Sequence, residues 1–513
     1  MQNGWSRKIY LELPEPSQED NRPDSRRILE ALERTEGLEN RRIRFSVQTL
    51  RSLYPLCQEA AWKITATLGF DGDGFTVTRL EAGNTEGEHY GLCADLGSTT
   101  IAMQLVDMRD GSVKAETSVF NPQIAFGEDI LTRIFYGKDQ PEHQEQLRRA
   151  VLSGFAELLD RLSQMSGIRT EHCASLILAG NTAMIHFLLG TDAFCVFQAP
   201  YAVRTLDPGV IWARDLDIGI DGFVYCYPGR ANYLGGDILS GVLSVGMAEQ
   251  EGISVFLDIG TNGELVIGNR DFLIAGAGAA GPALEGASVR TGMRAEPGAV
   301  DRAEIRQGEI LIHTIQEAPP RGICGSGIVD LLAQMFLNGW LDFRGKLVEG
   351  ASPLISFREE EPAVEYAPGL YFYQRDIDEF LKTKAAAGTM VEYMTGLLGI
   401  GLEDVERFYV AGAFGTHISK ESGITIGLYP DIDRERLILP GNTSLNGARC
   451  MLLDLKNFKK AERIAEQMEY VQFGAVDDFL HLMTAAQAIP HTDFRRYPTV
   501  MRELSRRGRA LEK

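Results

Sequence analysis

Two short stretches of this 513-residue chain carry residue types suited to holding phosphate. In Asp95-Leu96-Gly97-Ser98-Thr99-Thr100 a carboxylate closes an apolar run, and a glycine then lets the backbone turn so that amides and three hydroxyls face one point. Asp258-Ile259-Gly260-Thr261-Asn262-Gly263-Glu264 repeats the arrangement. The pair is expected to clamp the β- and γ-phosphates of a triphosphate. Like charges meeting there require a cation, and Mg²⁺ held through water by Asp95 and Asp258 would supply it. A single Asp-x-Gly is an ordinary turn; the recurrence gives these two their meaning.

Further candidates follow along the chain. The small residues of Ala411-Gly412-Ala413-Phe414-Gly415 would let an adenine or ribose lie against the backbone. Gly322-Ile323-Cys324-Gly325-Ser326-Gly327 opens an apolar helix, and Gly325 and Ser326 are expected at a hinge or nucleotide contact. Hydrolysis needs a group that orients water in line with the γ-phosphate. Glu264, Asp237 and Asp129 are the candidates, with Glu264 preferred, and each could instead serve as a helix cap or ion-pair partner. Cys324 is read as a packed thiol, and His186 and His417 as structural histidines.

The elements that must position these residues are legible as patterns. GLCADLGSTTIAMQLVDMRDGSVKAETSVF reads as three antiparallel strands joined by a Gly-Ser and an Asp-Gly turn. SVFLDIGTNGELVIGNRDFLIAGAG repeats it. SLILAGNTAM then matches RFYVAGAFGT, and VYCYPGRANYLGG matches LILPGNTSLNGA, each a buried strand running into a helix. Helical spacing of apolar residues marks 125–136, 142–165, 327–337, 377–398 and 456–468. A meander followed by two strand-and-helix units, occurring twice, is the α/β topology of duplicated ribonuclease-H-like (actin-like ATPase) domains. The expected divisions are a linker segment at 1–40, with a helix from Ser25 that Asp24 could cap, and a small α+β middle module at 41–89. Lobe I follows at 90–250, lobe II at 251–490 and a basic tail at 491–513.

A formal charge of -20 repels phosphate backbones and anionic lipid, so neither a nucleic acid nor a membrane is expected as partner. No apolar run reaches the ~18 residues of a membrane span, and no signal peptide is evident. The seven cysteines lie singly with no CxxC pair, as reduced cytoplasmic thiols do.

The motifs CADLGSTTIA, NPQIAFGEDILTRI, AGNTAMIHFLLG, FLDIGTNGELVIGN, GICGSGIVDLLA and AGAFGTHI, in this order, resemble those of the reductive activators of corrinoid proteins, from about residue 8 to about 490. Lys8 to Arg34 resembles the linker those activators place before their middle domain. The resemblance implies a homodimeric ATPase that returns a corrinoid methyl carrier from Co(II) to Co(I). It also implies that Asp95, Gly97, Ser98, Thr99 and Thr100 form the first phosphate loop, Asp258 to Gly263 the second, and Gly412 to Gly415 the adenosine contact. Such activators usually begin with a ferredoxin-like module on four closely placed cysteines. This chain shows no cysteine before Cys57, so no iron-sulfur cluster is expected in it and a separate electron donor is. Two other readings of the same fold are a small-molecule kinase using Asp237 as base and a nucleotide-switched interaction ATPase.

Overall fold

The computed structural model describes residues 3–260, 263–278, 289–412, 418–473 and 479–509, the side chains of 479–481 excepted. The chain divides into two compact units, Met1–Gly246 with Thr443–Gln467, and Met247–Asn442 with Met468–Lys513.

The first unit opens with a four-stranded sheet. Strands β1 (Ser6–Glu12), β2 (Ile43–Phe45), β3 (Lys63–Phe70) and β4 (Phe75–Ala82) lie in the order β1-β3-β4-β2, with helices α1 (Asp24–Glu33) and α2 (Val47–Glu59) between them in sequence. β1 is paired antiparallel with β3 along its full length, so the segment before residue 40 and the strands after residue 60 share one sheet. Asp24 does not cap α1: it is the helix's first residue, and its Oδ1 accepts from Trp62 Nε1 at 2.9 Å. Ser46 caps α2, accepting from Thr49 N at 3.0 Å.

This sheet is held to the rest of the unit by Trp5, which is 1% exposed. Its ring packs on Phe70 (5.1 Å between centroids), Tyr225 (4.8 Å) and Phe458 (5.7 Å). Its amide donates to Leu452 O and its carbonyl accepts from Ser175 Oγ, both at 3.0 Å.

The meander follows as β5 (Tyr90–Leu96), β6 (Thr100–Asp107) and β7 (Val113–Phe120), and then β8 (Ser175–Gly180), β9 (Val210–Trp212) and β10 (Phe223–Cys226). They form one sheet in the order β7-β6-β5-β8-β10-β9, with β8 parallel to both β5 and β10. Helices α3 (Ile130–Gly137), α4 (Pro141–Ser166), α5 (Thr182–Leu189) and α6 (Gly236–Ser244) accompany it. A core of Leu92, Leu96, Met103, Val151, Phe155, Leu158, Leu178 and their neighbours lies between sheet and helices. The helix expected over 125–136 is instead a short 3-10 turn, Pro122–Phe126, followed by α3. The break falls at Gly127, where a Cβ would stand 2.9 Å from the Thr132 side chain, and at Asp129, which starts α3 by accepting from Thr132 N at 2.8 Å.

The second unit repeats the plan. β11 (Ile253–Ile259), β12 (Gly263–Gly268) and β13 (Leu273–Gly278) make the meander. Two small sheets are inserted, from β14 (Ala299–Arg306), β15 (Glu309–Thr314) and β16 (Gly322–Ile323), and from β17 (Ile355–Arg358), β18 (Glu361–Ala367) and β19 (Leu370–Tyr373). Helices α7 (Gly325–Asn338) and α8 (Gln374–Leu398), strand β20 (Val405–Ala411), helix α9 (Lys420–Ile426) and strand β21 (Leu437–Gly441) follow. With β22 (Met468–Gln472) the large sheet runs β21-β20-β11-β12-β13-β22. The core five strands therefore match the first sheet, β7-β6-β5-β8-β10 corresponding to β13-β12-β11-β20-β21. Helices α10 (Thr443–Leu453) and α11 (Lys456–Gln467), which follow β21 in sequence, belong to the first unit.

Replacing the Trp5 ring removes the hub of four aromatics, so Trp5→Ala is expected to cost about 3–5 kcal/mol. This is measured as a lower urea midpoint, and an unchanged midpoint would show that the ring is not the anchor.

Candidate functional site

In the first unit, buried β5 delivers Asp95 to the hairpin, with Ala102 of β6 and Ala179 of β8 as register partners. Glycine at 97 is required by the turn itself, because a Cβ there would lie 2.5 Å from Thr100 O. Behind the hairpin, Asn121 Nδ2 donates to Gly97 O at 2.9 Å and Asn121 N to Thr99 O at 2.9 Å. Arg133 Nη1 donates to Ser98 O at 2.6 Å. Gly97, Ser98, Thr99 and Thr100 are thus drawn into one braced loop.

Asp95 also meets the end of the sequence. Ser444, in the first turn of α10, donates through Oγ to Asp95 Oδ1 at 2.9 Å. The helix is held close by Ser240 Oγ donating to Ser444 O (2.6 Å), Tyr227 OH donating to Gly447 O (2.8 Å), and Gly447, where a Cβ would lie 2.0 Å from Ser240 O. Asp237, in the first turn of α6, shares this corner. Removal from water, and then the charge of Asp95, push its carboxyl up to about 7. Asp129 stands elsewhere, its two oxygens accepting from Thr132 N and Oγ1 at 2.8 and 2.9 Å as a helix cap.

In the second unit Asp258 occupies the place of Asp95, opposite Ala411 as Asp95 is opposite Ala179. Across the hairpin its partner is Glu264, 6% exposed on β12. Directly opposed residues share a face of the sheet, so two carboxylates stand side by side at the strand end. Gly412 lies against them with φ of +96°, and a Cβ there would be 2.8 Å from Ile259 O and 2.9 Å from Asp258 Oδ1. Only glycine suits this position. Gly260 follows Asp258 by two residues, and Gly263 opens β12 paired with both Ile259 and Gly278. Thr261, Asn262, Ala413, Gly415 and His417 lie outside the described residues.

Around Gly325 and Ser326 the structure shows helix packing. Cys324 is the N-cap of α7, its thiol donating to Val300 O at 3.4 Å and lying 3.4 Å from Ser326 Oγ. Gly327 lets α7 approach β14, since a Cβ there would lie 2.2 Å from Val300 O. His186 is buried, bonding Thr182 O through Nδ1 (2.7 Å) and accepting from Arg204 N through Nε2 (3.1 Å), which fixes the neutral tautomer.

Three side chains at the site were not assigned from the sequence. Asn121 and Arg133 fall inside NPQIAFGEDILTRI, where the usable signal is an arginine placed one helical turn, four residues, before the buried Gly137. Ser444 lies inside LILPGNTSLNGA, and no local pattern marks its contact 349 residues away.

Two sheets with the same strand order, each presenting an aspartate-and-glycine hairpin beside a parallel strand that ends in Ala-Gly, define the duplicated fold of an actin-like ATPase. The profile described as "C-terminal domain of RACo the ASKHA domain" matches residues 252–501, the "RACo middle region" 90–250 and the "RACo linker region" 5–87. A solved structure titled "Reductive activator for corrinoid,iron-sulfur protein" is 34% identical and superposes with a TM-score of 0.90, covering 97% of this chain and 81% of its own. Corrinoid activation enzyme RamQ of Eubacterium limosum is 30% identical over 71% of this chain and 64% of its own length. The [Co(II) methylated amine-specific corrinoid protein] reductase of Methanosarcina barkeri is 28% identical over 74% and 73%. The chain therefore belongs to the RACo family, the reductive activators of corrinoid proteins.

Because Asp237 is protonated more readily folded than unfolded, the native state binds the extra proton between about pH 4 and 7. Wild-type stability is lost as pH rises through that window. Asp237→Asn removes the titration, so relative to wild type it is expected to gain on the order of 4 kcal/mol between pH 4 and pH 8. Melting at the two pH values without nucleotide checks this.

Proposed function

We propose that this chain is an ATP-dependent activator that drives reduction of Co(II) to Co(I) in the corrinoid methyl-carrier protein of a methyltransferase system. A separate iron-sulfur donor supplies the electron, and the chain acts in the cytoplasm as a homodimer. The likeness to a solved reductive activator over 97% of the chain at a TM-score of 0.90 carries the reading. The site chemistry supports it, because both units offer a carboxylate beside a glycine hairpin.

In this reading Asp95, Gly97, Ser98, Thr99 and Thr100 form one phosphate loop. Asp258 with Gly260, Thr261, Asn262 and Gly263 forms the other, and Gly412, Ala413 and Gly415 the adenosine contact, with Gly325 and Ser326 contributing. Mg²⁺ commonly takes one or two carboxylates, substrate phosphates and water, and Asp95 and Asp258 are the carboxylates that the two hairpins offer as its protein ligands. When bound it neutralises phosphate charge. Glu264 orients water or accepts its proton, consistent with burial next to Asp258. A kinase reading draws on Asp237, whose raised proton affinity at neutral pH suits a base for a substrate hydroxyl.

The decisive assay combines the purified chain, a Co(II) corrinoid protein, a low-potential donor and Mg-ATP, with Co(I) followed by absorbance. ATP-dependent acceleration is expected; none with any donor overturns the activator reading, and a phosphorylated metabolite in its place favours the kinase. Glu264→Gln is expected to lower ATP turnover by about 10²-fold or more while leaving Mg-ATP affinity within a few fold. An unchanged turnover number would remove Glu264 from that role.

A further inference from the structure

Arg133 is fully buried on α3. Its guanidinium donates to three main-chain oxygens, Ser98 O at 2.6 Å, Gly127 O at 2.8 Å and Glu128 O at 3.4 Å. The negative charge it feels comes from Asp129, whose oxygens are already engaged by Thr132. Burial pushes the guanidinium down to about 10, so it remains a cation at neutral pH. Neutral donors could satisfy three carbonyls with less desolvation cost. A cation retained there is most useful where negative charge arrives.

The geometry of the loop shows where that would be. The peptide bonds from Gly97 to Thr100 are trans, the cis bonds of the described chain being those before Pro200 and Pro490. In a trans peptide the carbonyl and the following N–H point to opposite sides. Gly97 O is drawn inward to Asn121 Nδ2 and Ser98 O inward to Arg133. The amides of Ser98 and Thr99 therefore point outward, and neither donates to a main-chain carbonyl among the described residues. Consecutive outward amides form an anion-binding concavity, and Asn121 N on Thr99 O fixes its far edge.

We propose that Arg133, with Asn121, is the positioning residue of the first phosphate loop: it turns the loop carbonyls inward, presents the Ser98 and Thr99 amides to phosphate oxygens, and places a buried positive charge behind them. This rests on reading the hairpin as a phosphate loop. Arg133 touches no phosphate itself. Its effect is exerted through the peptide planes and through charge at short range in a poorly solvated site.

The test measures binding of Mg-ATP, Mg-ADP and adenosine by calorimetry to wild type, Arg133→Met, Arg133→Lys and Asn121→Asp, with the melting of each ligand-free protein. Arg133→Met is expected to weaken Mg-ATP by about tenfold or more with adenosine affinity unchanged. It should raise KM for ATP more than it lowers kcat. Arg133→Lys, which keeps the charge and loses the fork, recovers part of the affinity. Asn121→Asp keeps the Oδ1 that accepts from Gln123 N but sets an acceptor against Gly97 O, and so carries the same selective loss if Arg133→Met does not fold. Equal weakening of adenosine and Mg-ATP, or no weakening in folded variants, overturns the proposal. A wild-type protein without Mg-ATP affinity would instead defeat the phosphate-loop reading.

Discussion

The site depends on one register, repeated: an aspartate near the end of a central strand, with alanine opposite it on a parallel neighbour and glycine next. In the first sheet these are Asp95, Ala179 and Gly180, and in the second Asp258, Ala411 and Gly412. Small residues on the neighbour leave room for the carboxylate to face away from the core. The buried runs that precede each aspartate keep the strand from sliding, because a shift of one residue would turn Leu92, Ala94 and Leu96 to the wrong face. The sequence is thereby committed to holding a charge at the rim of an apolar sheet, and the glycine turn follows from that placement.

The two copies use the same frame for different ends. Opposite Asp95 stands Ala102, while opposite Asp258 stands Glu264. In the first unit the second carboxylate comes from α6, where Asp237 is held partly protonated by burial and by Asp95. Each unit thus assembles a pair of acids, one from a strand end and one from a separate element. Two carboxylates so placed repel, and they lower that repulsion by taking up a proton or a cation. Where the acid sits on a rigid strand opposite the aspartate, as Glu264 does, its position is set by the sheet itself. Asp237, in the first turn of a helix, is positioned by Gly235 and Gly236 packing on the backbone of Gly180 to Thr182 and on Tyr227.

Much of this was legible in the sequence, and what was not has definite physical causes. The meanders, the duplicated order and the strand-ending glycines stood out because periodicity and turn chemistry are local. The family resemblance, carried by six motifs, agrees with the matched profiles. Helical periodicity alone runs through Gly127, since apolar spacing continues on both sides of the break, and the cap at Asp129 stands in the sequence only as an alternative to a water-orienting role. Asp24 had the composition of a cap but lies one residue inside the helix, bonded to a tryptophan 38 residues on. Arg133 and Asn121 lie inside a motif that gives them no legible role, because their partners are main-chain oxygens that leave no trace in residue types.

The least legible feature is the path of the chain after β21. A repeat read from sequence places α10 with the second copy, as α6 goes with the first, yet α10 packs within the first unit. Glycine at 447 is what permits it, the backbone lying against Ser240 with no room for a methyl group. Ser444 then gives Asp95 a hydroxyl donor from the far half of the chain. The charge of that same carboxylate is one of the two causes that raise the proton affinity of Asp237. The surroundings of the two acids of the first unit are therefore built in part by a helix that duplication alone would have assigned elsewhere.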